Sequence, residues 1–154
     1  MDDIDRKIVR LLAQNGRLSH KQLAQAVNLA RPTVHERVKR LEQQGVIRGY
    51  HAQVNWTAMG YPMTALIWIC SRAKSDDAAA ALLQLGTKDA IVDVCHGVTG
   101  EWCFLLQVRV TSSSALKEFI DSIYTVEGVQ NTMTTLSLTA YHEKQTSPND
   151  SAEI

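Results

Sequence analysis

The stretch from Arg31 to Gln44 carries the side chains best suited to chemistry with a partner. Arg31, Arg37, Lys39 and Arg40 are cations, and Thr33 and His35 are interleaved with them. Cations neutralise phosphates, arginine binds guanine bidentately and threonine can touch a thymine methyl, so the set fits contact with double-stranded DNA. Ser19, His20 and Lys21 form a second group at the start of another segment, where free backbone N–H groups suit a phosphate. The same charges also fit the solvated face of a small helical bundle, and His35 alone says little.

Other reactive residues point less far. Cys95, His96 and Cys103 are zinc-ligand types, but their spacing matches no closed zinc motif. Cys95 and His96, adjacent in a strand, would face opposite ways. They read as core or interface groups. No nucleophile elbow, phosphate loop or His-Glu-x-x-His occurs, and Asp76-Asp77 reads as a helix start. The expectation is no catalytic site, no metal and no cofactor. Trp68 and Trp102 fit interface anchors at least as well as ligand walls.

These residues need a frame. Ile4, Ile8, Leu11 and Leu12 form one helical stripe, begun by Asp2, Asp3 and Asp5 and closed by Gly16. Ser19 and Gln22 make a capping box ahead of Leu23, Ala24 and Val27. After a break at residues 28–31, Pro32 opens a third helix with Val34, Val38 and Leu41 inward and Gly45 as its stop. Three short helices, the last two closely joined, match a helix-turn-helix. Residues 46–54 look extended, with Val46, Ile47 and Tyr50 able to cover the helices, and residues 55–60 suit a turn or a short helix.

From Pro62 the pattern alternates. Met63–Ser71 reads as a strand covered on both faces. Ser75 can cap a helix carrying Ala78, Leu82 and Leu85. Ile91–Val98 and Trp102–Val110 read as strands, the latter with Phe104, Leu106, Val108 and Val110 on one face. Ser114 opens a helix bearing Leu116, Phe119, Ile120 and Ile123, and Val129–Tyr141 is a fourth strand. The order βαββαβ is ferredoxin-like, so the fold class is α+β.

Composition supports two parts. The chain has 154 residues, with Lys+Arg 16 against Asp+Glu 16. Residues 1–50 hold ten basic and five acidic side chains, and the remainder six and eleven, so a +5 part precedes a −5 part. At 45% apolar and 21% charged, the chain is neither disordered nor collagen-like, and three cysteines are too few for a disulfide framework. Its start, MDDIDRKI, lacks an apolar signal core, and its longest apolar run is too short to cross a bilayer. The expected setting is cytoplasmic, without a membrane partner. The boundaries read as 1–50 for DNA binding, 51–60 for a linker, 61–141 for the ferredoxin-like part and 142–154 for a polar tail.

IDRKIVRLL, NGRLSHKQLAQAVNLA, TVHERVKRLEQQGVIRGY and GVTGEWCFLLQVRV together resemble the Lrp/AsnC (leucine-responsive, or feast/famine) regulators over about residues 2–141. The resemblance implies a winged helix-turn-helix joined to a ferredoxin-like (RAM/ACT-like) domain that binds an effector and self-associates. It places the helix-turn-helix on His20–Lys39 and the recognition helix on Pro32–Gln44. It further implies homodimers with apposed sheets, assembly of dimers into tetramers or octamers, and an amino-acid effector held between dimers.

The implied effector loop is Val98, Thr99, Gly100, Glu101, Trp102 and Cys103, with Gln130, Thr132 and Thr134 of the last strand lining the same site. Two residues depart from the family pattern. Ala30 stands where a serine cap is usual, at a cost of about 0.5–2 kcal/mol. Cys103 stands where the family carries aspartate, and a neutral thiol is a poor partner for an ammonium group. Two other functions fit such a scaffold: a siroheme decarboxylase, and a ligand-binding protein that works through other regulators.

Overall fold

The computed structural model describes residues 1–72 and 76–138. It divides into two compact units at Gln53/Val54. Ser75 as a cap, residues 139–141 of the expected fourth strand and the polar tail lie outside the described residues.

The first unit is built from α1 (Asp3–Gln14), α2 (His20–Val27) and α3 (Arg31–Gln43). Asp2 caps α1 through a capping box with Asp5, and Ser19 caps α2 through one with Gln22, as its spacing anticipates. Gly16 is not the stop of α1. The helix ends at Gln14 with Asn15 extended, and Asn15 Oδ1 accepts the Arg17 N–H at 3.0 Å, so a side chain turns the backbone instead. Asn28 ends α2 in the left-handed region at φ 54°. Ala30 gives α3 no side-chain cap, and Pro32 occupies its first turn, where the missing N–H costs nothing.

Gly45 ends α3 at φ 69°. Its N–H reaches the Glu42 carbonyl and that of Val46 reaches Leu41, the paired bonds of a Schellman turn. That turn sets the course of the chain beyond α3. Ile47 packs against the helical core, but Val46 and Tyr50 remain 43% and 48% exposed, and residues 44–62 contain no strand. The Tyr50 hydroxyl instead donates to Glu42 Oε1 at 2.9 Å. The core itself is Ile8, Leu12, Leu23, Ala24, Val27, Val34, Val38 and Leu41.

The second unit runs β1 (Met63–Ser71), α4 (Asp76–Gln84), β2 (Ala90–Gly97), β3 (Phe104–Val110), α5 (Ser113–Ile123) and β4 (Val129–Ser137). Its sheet has the order β2-β3-β1-β4, with every neighbouring pair antiparallel, which is the ferredoxin-like arrangement. Ala65, Ile67 and Ile69 of β1 and Phe104, Leu106, Val108 and Val110 of β3 are buried beneath Ala78 and Leu82 of α4 and Leu116, Phe119 and Ile123 of α5. Strand β1 is therefore sealed on one face. Its alternate residues Leu66, Trp68 and Cys70 are half-buried on the face away from both helices, because all the helical cover comes from one side.

Residues 55–60 form a turn fastened to this second unit. Asn55 Oδ1 accepts the Ala58 N–H, the Tyr61 hydroxyl donates to the Lys88 carbonyl at 2.7 Å, and the Trp56 ring lies 5.0 Å beneath the Arg109 guanidinium. Asp93, at a bulge in β2, holds Arg109 at 2.6 Å. A stretch read as linker is in part a packed element.

Candidate nucleic-acid interface and effector loop

The two outer helices of the helix-turn-helix, α2 and α3, bring the first group of candidates together. Ser19, Lys21, Arg31, Thr33, His35, Lys39 and Arg40 are exposed, His20 and Arg37 half-buried. Arg31, His35 and Lys39 succeed one another at four-residue steps and so share a stripe of α3 away from buried Val34, Val38 and Leu41. Neither Arg31 nor Lys39 has an ion pair among the described residues, which leaves both charges available to a phosphate. His35 meets His20 across the helix pair, with the two Nδ1 atoms 3.3 Å apart.

Arg37 and Arg40 already have acidic partners. Arg37 donates to Asp2 Oδ2 at 2.6 Å and Asp5 Oδ1 at 2.8 Å, while Arg40 spans both oxygens of Asp5 at 3.1 and 2.9 Å. Asp5 is 1% exposed, a carboxylate sealed in the helical unit and matched by two guanidinium groups. Burial by itself would raise the Asp5 pKa. The hydrogen bonds from Arg37 and the Asp2 backbone, with the Arg40 charge, outweigh it and hold the group below the ordinary carboxylate value. Asp2 is lowered as well, first by the Asp5 backbone N–H and then by Arg37. Two of the four cations on α3 thus anchor that helix to α1.

Asp5 is the residue that composition hid. Its signal was positional: residues 5, 8 and 12 share one face of α1, and all three are buried.

In the second unit, Val98 to Cys103 joins β2 to β3. The Val98 N–H reaches the Cys103 carbonyl at 3.0 Å, and Gly100 sits at φ 103°, a conformation that favours glycine. Thr99, Gly100 and Glu101 are exposed and Trp102 half-buried at the sheet end. Cys103 turns inward. It is 7% exposed, its Sγ donates to the Ser71 carbonyl at 3.2 Å and accepts the Ser71 N–H at 3.4 Å. The thiol at the departing position therefore belongs to the core that ties β3 to β1. In the native chain Cys103 should resist an aromatic disulfide reagent and react only on unfolding; equal native reactivity of all three thiols would contradict this packing.

The last-strand candidates separate. Thr132 and Thr134 pair with Ile69 and Ile67, whose side chains lie on the helix-covered face, and the Thr132 hydroxyl is 3.0 Å from that of Tyr124 on the turn after α5. Gln130 falls where the β1–β4 register shifts, and its Oε1 meets Cys70 Sγ at 3.9 Å. The bulge there breaks the alternation that sequence spacing assumes. Cys95 faces Leu106 and packs on the core, where burial raises its thiol pKa, whereas His96 faces Leu105 on the exposed side. Among the described residues no three metal-ligand side chains gather in one place. No helix of the described residues is long and apolar enough to cross a membrane.

Two family descriptions match the chain: winged helix-turn-helix DNA-binding over residues 1–48, and Lrp/AsnC ligand binding domain over residues 64–147. The HTH-type transcriptional regulator LrpA of Mycobacterium tuberculosis is 37% identical over 96% of this chain and 97% of its own length. Among solved structures, a feast or famine regulatory protein from M. tuberculosis complexed with L-methionine is 36% identical, covering 93% of this chain and 95% of its own, with a TM-score of 0.82. A transcriptional regulator–L-methionine complex from Neisseria meningitidis is 28% identical over 97% and 98%, with a TM-score of 0.79. With a helix-turn-helix ahead of a ferredoxin-like sheet, and both halves matched in that order, the chain belongs to the Lrp/AsnC family of transcription regulators.

Proposed function

We propose that this chain is a sequence-specific regulator that reads double-stranded DNA with α3 and is modulated by a small amino acid or related metabolite. The observation that carries the DNA reading is the Arg31–His35–Lys39 stripe, whose two cations have no ion pair among the described residues, held on a helix-turn-helix whose other α3 arginines are already neutralised. In this reading Arg31, Thr33 and His35, near the start of α3, reach base edges. Lys39 and Lys21 take phosphates, and Ser19 and His20 bring the α2 N-terminus to the backbone.

The open sheet face, with Leu66, Trp68 and Leu105 half-buried and Met133 44% exposed, supports pairing of two copies, and further assembly of dimers accords with the family pattern. The effector sits between copies at the 98–103 loop, where Thr99, Gly100 and Glu101 are exposed. The L-methionine complexes of two relatives support an amino-acid class. Glu101, rather than residue 103, supplies the carboxylate for an ammonium group. The protein works in the cytoplasm as a binding protein and catalyses no reaction.

A selection of genomic DNA fragments by the purified chain, with and without a panel of amino acids, tests this directly. Recovery of one enriched motif whose affinity shifts with an amino acid is the expected result, and fragments retained without any motif would overturn it. Salt dependence checks the surface. Lys21→Ala and Lys39→Ala should each flatten the log–log salt slope by about 0.9 if each contacts one phosphate. An unchanged slope in both variants would move the interface elsewhere.

A further inference from the structure

The pairing of His20 with His35 is not explained by DNA reading alone. His20 is the first residue of α2, fixed by the Ser19–Gln22 capping box, and His35 comes directly after buried Val34 on α3. The two helices are packed through Leu23, Ala24, Val27, Val34 and Val38 in one core, so the imidazoles are brought together by the rigid part of the unit. Their Nδ1 atoms are 3.3 Å apart, the ring centroids 5.0 Å apart and the planes inclined at 64°.

That separation lies beyond the usual range of about 2.7–3.2 Å for a hydrogen bond donated by nitrogen. It equals the span of two nitrogens each about 2.05 Å from a tetrahedral ion, roughly 3.3 Å. We propose that His20 and His35 form a two-imidazole site for a borderline divalent metal ion of the zinc and nickel class, bridging α2 to α3.

Both Nδ1 lone pairs face the ion when the ring protons sit on Nε2. His35 is exposed and His20 half-buried, so the ion has access from water, and its remaining positions hold water. Lys21 beside His20, and Arg31 and Lys39 one turn either side of His35, oppose a divalent charge, with Glu36 the nearest acid in sequence on α3. Binding is therefore weaker than at a closed structural site. An ion here would pin the α2–α3 angle and add positive charge beside the stripe that meets DNA.

The test uses the full chain, reduced and stripped of metal, with zinc alone in a competition titration against a coloured zinc chelator and no DNA present. One equivalent per chain is expected, weakened at least tenfold by His20→Gln and by His35→Gln and unchanged by His96→Gln. Because Cys70 and Cys95 could also take zinc, a second measurement adds nickel and monitors imidazole protons by NMR, where His20 and His35 should broaden first. No bound zinc in the wild-type chain, equal affinity in the His20 and His35 variants, or first broadening at other residues would each overturn the site. The DNA proposal survives such a failure, since it stands on Arg31 and Lys39.

Discussion

Asp5→Ala is expected to lower the unfolding free energy of the helix-turn-helix unit by about 2–4 kcal/mol, and with it the affinity for DNA. The carboxylate is 2% exposed and accepts from Arg37 and Arg40, so its removal leaves Arg40 without its acceptor and Arg37 with Asp2 alone. Arg40 is 49% and Arg37 21% exposed, and both can turn partly to water, which keeps the loss at or below the range for a fully buried pair. Chemical denaturation of the two proteins measures the difference. A change under 0.5 kcal/mol would mean that the cluster contributes nothing to holding α3 on α1.

The same cluster sets an acid limit. Asp5 and Asp2 both have folded pKa values below the ordinary carboxylate value, so the unfolded chain takes up protons first as pH falls. Their contribution is complete above about pH 4 and is lost as pH drops through the lowered folded values. The wild-type unit should therefore lose stability below that point more steeply than Asp5→Ala, and parallel acid profiles for the two would sink the assignment.

Trp68→Asp should abolish self-association while leaving the second unit folded. Trp68 lies between Leu105 of β3 and Met133 of β4 in the ladder, at the middle of the apolar face that α4 and α5 leave uncovered. Buried aromatic residues at the centre of an interface carry much of its energy, and a carboxylate there would have to be desolvated without a partner. A dimer constant weakened at least a hundredfold corresponds to about 2.7 kcal/mol. Sedimentation should show dimers or larger species for the wild-type chain and a single chain for the variant. Equal masses for both proteins would place the interface elsewhere. Ile67, one residue away, faces the helices, and its truncation would test the fold rather than the assembly.

Several elements could be read from local spacing because their causes are local. The Ser19–Gln22 box, the inward stripe of α3, the Gly45 stop and the period-two burial of β3 depend on residues within a few positions of one another. The family pattern added the organisation of the whole, a helix-turn-helix ahead of a ligand binding domain. Residues 46–54 were less legible: their apolar types allow cover over the helices, yet the turn at Gly45 directs only Ile47 inward.

By itself, the sequence determined that a basic helix-turn-helix precedes an acidic ferredoxin-like unit, and that α3 carries four cations. Only the tertiary structure decided which partner each cation meets. Arg37 and Lys39 are alike to any local rule, but α3 packs so that Arg37 meets Asp2 and Asp5, more than thirty positions away, while Lys39 faces solvent. Cys103 and Thr132 were sorted the same way, by a cross-strand neighbour at Ser71 and a ladder partner at Ile69. Spacing fixes a side chain's direction about its own element, whereas its partner depends on how elements pack, because desolvation and charge pairing act across space rather than along the chain.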